Sequence, residues 1–260
     1  MLQSVGSILG HLASLLTAVL PFRAYYLIDV GLSGLRSLAA GSLREPVVTE
    51  TQAAREAAET RALLATLPRR LRAHVRETVR FLLGSPATTR LIFANAVISL
   101  PCYLTLMFLQ QRLSAAGLPT ALLGLIVCLF ELGRPVGSWL SLRVRPRRLV
   151  GLYAACAALG GLCTVAAGLA PLPLAVLAGA GFAGCEMLWT LCSERRLNDS
   201  FPSDQRATLV SVNSMVYSLL MVPVSPLTGL AGDLTGAPGA GLALLGGGVL
   251  AAGIAAVSYT

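Results

Sequence analysis

The sequence predicts an all-α, polytopic membrane protein with about eight spanning helices. Three observations carry that prediction. Apolar residues make up 55% of the chain and charged residues only 12%, with a mean hydropathy of +0.73. Soluble domains carry about 25% charge, so this chain has too little polar surface to cover itself in water. Runs of about 20 mostly apolar residues recur along it, the length a helix needs to cross the hydrocarbon core. Basic residues fall in alternate gaps between those runs. The spans must be helical, because an unpaired backbone group cannot face lipid.

Taken in order, the first two runs, Ser4–Leu20 and Tyr25–Leu43, are the weakest. The first is near the minimum length, and the second carries Asp29 and Arg36. The stretch 44–90 is a linker with a helical pattern inside it. Leu64, Leu67, Leu71, Val75, Thr78 and Leu82 form one stripe, and Arg69, Arg72, Arg76 and Arg80 a second. Thr66 can cap its start with Pro68 in the first turn, and Gly84 with Pro86 supplies the stop. Such a basic amphipathic helix either lies on the anionic cytoplasmic leaflet or packs on the protein's own loops. Six strong runs follow: Leu91–Gln110, Ala121–Leu142, Leu149–Leu169, Leu172–Cys192, Ala207–Gly229 and Gly239–Tyr259.

Arginine placement tests that layout independently. The net charge of +8 comes from Arg alone, since the chain has no Lys. Nine Arg stand in Arg44–Arg90, four in Arg143–Arg148 and three in Glu194–Arg206, whereas the alternate gaps hold only Arg23 and Arg112. This bias obeys the positive-inside rule and places both termini in the cytoplasm. Topology therefore accounts for the positive charge, and a nucleic-acid partner does not. The six Cys lie inside apolar runs with no CxxC, and His11 and His74 stand far from any of them. Reduced packing residues are the simplest reading, with no metal and no cofactor.

Ser193–Leu220 is the most informative stretch. A charged, Pro-broken loop there runs straight into an apolar helix bearing Asn213, Ser214, Tyr217 and Ser218. RLNDSFPSDQRATLVSVNSM resembles the loop between the tenth and eleventh helices of major facilitator superfamily transporters. LGSPATTRLIFANAVIS is similar to that family's entry into its seventh helix. FELGRPVGSWLSLRVRPRRLVGLY resembles the eighth helix, a short basic loop and the ninth, and SPLTGLAGDLTG the end of the eleventh. Upstream, SVGSILGHLASLL is similar to the fifth helix, and the run ending in LREP to the sixth.

The resemblance implies a partial major facilitator fold. Residues 1–43 would be the last two helices of the N-terminal half, 44–90 the cytoplasmic linker, and 91–260 the six-helix C-terminal half. The family has twelve helices, so the expectation is an N-terminally truncated transporter, through a gene-start error, a frameshift or gene decay. The short loop Arg143–Arg148 sits at the place of the family's basic loop motif but lacks an acidic partner within it.

Charges inside spans are the default functional candidates, because each costs at least about 2.5 kcal/mol at the bilayer centre. Glu131, Arg134 and Glu186 stand out. Glu131 and Arg134 are neighbours on one helical face. Counted from the cytoplasmic ends, Arg134 lies about 13 Å deep and Glu186 about 12 Å, so the two can neutralise each other. Two readings stay open: a proton-linked or substrate-binding carboxylate partnered by Arg134, or a buried ion pair that orients helices or locks one conformation. Asn213 and Tyr217, four apart, either line a substrate path or bond neighbouring helices. In the following loop Arg195, Arg196 and Arg206 read as topology determinants, and Asp204 as a first-turn acid after the cap Ser203. Gly160, Thr164 and Gly168, with Ala180 and Gly184, mark close helix contacts, as do Gly246, Gly247 and Gly248.

Function follows from the resemblance more than from composition: transport of a small solute by alternating access, in the cell membrane, with the bilayer as partner. A membrane enzyme is disfavoured, because no HExxH, GxSxG or helical Asp pair occurs. A non-transporting remnant or membrane interaction protein is the alternative. Substrate and oligomeric state are not encoded in any pattern here.

Overall fold

The computed structural model describes residues 22–42, 72, 76, 80, 84–144, 149–200, 206–237 and 239–258. The first expected run, Ser4–Leu20, lies outside them. So do most of the amphipathic stretch, where only Arg72, Arg76 and Arg80 are described and are helical, the loop 145–148, and Ser203 with Asp204. The chain divides into two units, 20–86 and a larger one of 1–19 with 87–260.

In the smaller unit the described element is α1, Phe22–Ser42. It forms where Tyr25–Leu43 is expected. The side chains of Asp29 and Arg36 lie outside the description.

The larger unit is helical throughout its described residues: α2 (Pro86–Ala115), α3 (Thr120–Glu131), α4 (Gly133–Arg143), α5 (Leu149–Leu169), α6 (Leu172–Ser200), α7 (Arg206–Thr235) and α8 (Ala240–Ser258). Among the described residues five helices are long and apolar enough to span: α2, the α3–α4 run over Leu122–Arg143, α5, α6 and α7. The last run, α8, is apolar but shorter, over Ala240–Ala256. α1 is not among the five, because Arg23, Asp29 and Arg36 dilute its apolar run.

Several boundaries differ from expectation. α6 does not stop at Cys192 but carries Glu194, Arg195 and Arg196 through to Ser200 on two further turns. At 1.5 Å per residue its 29 residues reach well past a core of about 30 Å, so charged turns can stand in the headgroup layer without breaking the helix. α2 and α7, each 30 residues, overrun their apolar runs for the same reason. Pro101 sits within α2, and Pro223 and Pro226 within α7, yet both helices run unbroken. Thr105 Oγ1 donates to the Pro101 carbonyl at 2.7 Å and Thr228 Oγ1 to that of Val224 at 2.8 Å, so each hydroxyl is satisfied on its own helix.

The second strong run is one span, Leu122–Arg143, with a single irregular turn at Leu132, whose backbone stays in the α region (φ −62°, ψ −19°). The Leu132 N–H keeps its bond to the Cys128 carbonyl at 3.1 Å. Pro135 has no N–H for the Glu131 carbonyl four residues back, and its ring crowds that oxygen. Gly133 next to that turn adds little helix propensity.

α6 is the centre of the unit, packing against α3, α4 and α5, while α8 packs on α5 and α7. The core is built from Ile98, Leu109, Phe130, Phe182 and Trp189, all nearly inaccessible, with Trp189 meeting Tyr153 edge-on at 5.2 Å. Backbones approach where Gly stands. A Cβ on Gly133 would strike the Ala180 carbonyl, and one on Gly137 the Gly184 carbonyl. Gly168 likewise faces Gly239, and Gly160 receives Phe182, as the small-residue spacing predicts. Of the last-span triplet, only Gly246 makes such a contact; Gly247 and Gly248 face open space.

The opposite faces are apolar and exposed. Leu122, Leu125, Leu129, Leu132, Val136 and Trp139 stand out from α3 and α4 at three- and four-residue steps, and Leu219, Val222, Leu227, Leu230 and Leu234 from α7. In water such bands would drive association; in a bilayer they are the solvated surface.

Candidate functional site

Three charges meet where α3 ends, α4 begins and α6 passes. Glu131 closes α3 and Arg134 stands in the first turn of α4, on either side of the irregular turn at Leu132. The glycine contacts at Gly133 and Gly137 draw α4 onto α6, which brings Glu186 within reach of Arg134. Arg134 Nη1 lies 2.7 Å from Glu186 Oε2, and Arg134 Nε lies 3.0 Å from Glu131 Oε2. Both Glu residues are 7% exposed. The depth count therefore pairs Arg134 with Glu186, and the same guanidinium also holds its local neighbour Glu131.

Glu186 is further satisfied by hydroxyls. Ser99 Oγ on α2 donates to its Oε1 at 3.0 Å, and Thr190 Oγ1, one turn along α6, at 3.3 Å. Four helices thus contribute to one polar cluster in an apolar core. Two carboxylates face one guanidinium, so in its fully ionised form the cluster carries an excess negative charge.

Asn213 stands on α7. Asn95 Nδ2 of α2 donates to Asn213 Oδ1 at 3.4 Å. Tyr217 is half-buried, one turn further along α7. The remainder of the polar stripe points elsewhere: Ser214 is exposed and bonds the Val210 carbonyl of its own helix at 3.0 Å, and Ser218 is exposed.

The basic candidates sit at one end of the bundle. Arg195 donates to the Ser141 carbonyl at 3.0 Å and to Ser141 Oγ at 3.2 Å, satisfying the C-terminus of α4 where the helix dipole favours a cation. It is a helix-end clamp, beyond its expected role in topology. Arg196 is exposed on the last turns of α6, and Arg206 opens α7 with its side chain outside the description. At the other end, Arg112 donates to the Ala167 and Ala170 carbonyls at 2.7 and 2.6 Å, doing for α5 what Arg195 does for α4.

Sequence reasoning misses Asn95, Ser99 and Thr190. Asn95 and Ser99 are four apart within FANAVIS, so they share a face of α2, and that spacing was a usable signal. Among the described residues no group of acidic, His and Cys side chains is arranged to hold a metal ion.

No curated protein and no solved structure matches the chain. The Major Facilitator Superfamily family model does match, over residues 1–225. That match spans most of the chain, and the polar cluster lies within it: this protein belongs to the Major Facilitator Superfamily.

Proposed function

We propose that the protein takes part in moving a small solute across the cell membrane by alternating access, with the Glu131–Arg134–Glu186 cluster as its charged centre and both chain ends in the cytoplasm. The observation that carries this reading is a guanidinium shared by two buried carboxylates inside the spanning helices, where ionisable groups are costly and mark ion and solute paths. The excess carboxylate gives the centre a use. A proton or a cationic group that takes one carboxylate releases Arg134 to the other, and the helices bearing them then exchange partners.

One specific observation favours a second role for the same residues. Glu186 accepts from Arg134, Ser99 and Thr190 together, which leaves little capacity for a ligand in this conformation. The cluster then acts as a lock that holds this state until a ligand or proton opens it.

The test is solute-stimulated proton movement in proteoliposomes containing the full chain and a lumenal pH dye, run over a mixed solute panel. Glu131→Gln and Glu186→Gln are expected to abolish or uncouple proton movement while leaving reconstitution intact. Solute flux with unchanged proton coupling in both variants would sink the carboxylate role.

A further inference from the structure

Asn95 is 6% exposed, and its Oδ1 has no hydrogen-bond partner, although its Nδ2 is used on Asn213. A buried amide oxygen left unpaired is costly, and the group it lacks is a donor. One turn along the same face of α2 stands Ser99, whose hydroxyl is on Glu186. Asn95 and Ser99 are thus neighbours on one face of α2, their Cβ atoms about 5–6 Å apart, and Ser99 itself touches the charged cluster. Both features ask for the same chemistry. The cluster lacks a positive charge, and the amide oxygen lacks a donor. An ammonium group brings one charge and three N–H donors in a compact head. A carboxylate or phosphate would add negative charge to a buried surplus, and a hydroxyl would meet Asn95 but leave the charge unbalanced.

We propose that Asn95 and the two carboxylates form one binding site for a small solute bearing a protonated primary amine, with Asn95 Oδ1 and whichever of Glu186 and Glu131 gives up its contact with Arg134 as the acceptors. This rests on the reading of the cluster as a solute path. Asn213 positions the Asn95 amide, holding its nitrogen so that the oxygen is left for the ligand. Arg134 sets the charge that one monocation brings to neutrality, which selects against dications.

The experiment uses the purified full chain in nanodiscs and four matched probes: butylammonium, N,N,N-trimethylbutylammonium, butan-1-ol and butyrate. The readout is the probe-dependent rise in thermal midpoint, with each variant's probe-free midpoint as the control for folding. Butylammonium is expected to raise the midpoint of the wild type, and the other three are not. Asn95→Leu should weaken butylammonium about tenfold or more, the size of a lost hydrogen bond to a charged group. Asn95→Asp keeps an acceptor, adds charge and should bind it more tightly. The proposal is overturned if butanol or butyrate stabilises the protein as well as butylammonium does, if no probe stabilises it, or if Asn95→Leu binds butylammonium like the wild type. Counterflow of labelled butylammonium in proteoliposomes separates this from the transport reading. Binding without movement removes transport and leaves the site standing. Movement of a neutral or anionic solute that is indifferent to Asn95→Leu removes the site and leaves transport standing.

Discussion

Arg134 reaches two carboxylates with different nitrogens, Nε for Glu131 and Nη1 for Glu186, which its planar fork holds apart. Lys offers a single point of charge, so Arg134→Lys should keep one contact and lose the other. Removing the guanidinium leaves two carboxylates in an apolar core, and truncating one partner of a buried pair costs about 3–5 kcal/mol. Arg134→Leu is therefore expected to be the most damaging single change, read as folded yield and thermal midpoint in detergent. Glu131→Leu and Glu186→Leu should each cost less, because Arg134 keeps its other partner. The double change Arg134→Leu with Glu186→Leu should recover only part of the loss, and adding Glu131→Leu the remainder. Full rescue by Glu186→Leu alone would show that Glu131 is a bystander. The pairing with Glu186 was legible in the sequence because depth along a helix follows from counting residues. The four-residue spacing of Asn95 and Ser99 offered a shared face of α2 but not their partners, which stand 118 and 87 positions away, beyond any count along one helix.

At the scale of the elements, the site depends on how closely α4 lies on α6. Gly133 and Gly137 make that approach possible, since a methyl at either would meet a carbonyl oxygen of α6. Gly133→Ala and Gly137→Ala should each lower the thermal midpoint by an amount equivalent to about 1–3 kcal/mol, the usual cost of overpacking. They should also loosen the contact between Arg134 and Glu186. Gly247→Ala and Gly248→Ala are the matched controls. Nothing lies within 4 Å of the new methyl at either position, and Ala gains up to about 1 kcal/mol in helix propensity over Gly. Equal losses at all four positions would mean that contact distance does not govern packing here. The spans themselves were readable because length and apolarity define them in a bilayer. The irregular turn at Leu132 was not, because proline alone does not predict one in lipid: Pro101, Pro223 and Pro226 sit in unbroken helices. Pro135 has Gly133 two residues before it, with the α6 backbone close against that glycine.

For the whole molecule the decisive question is which end faces the cytoplasm. The contacts sort the larger unit into two ends. Arg195 reaches Ser141, so the C-terminal turns of α4 and α6 share one end. Arg112 reaches Ala167 and Ala170, so the C-terminal turns of α2 and α5 share the other. α7 starts at Arg206 and, at 30 residues, is about 45 Å long, enough to cross once and leave Thr235 on the far side. The arginine bias assigns the first of these ends to the cytoplasm. Single cysteines at Asp199, Ser114 and Thr235, all exposed, test that assignment in intact cells with a membrane-impermeant maleimide. Ser114→Cys and Thr235→Cys should react before lysis, and Asp199→Cys only after it. The six native thiols are buried or half-buried, so the wild-type background should be low. Reaction of Asp199→Cys from outside, with Ser114→Cys protected, would invert the orientation. Labelling of all three from one side would break the alternation of spans, and with it the requirement that Arg134 and Glu186 sit at one depth.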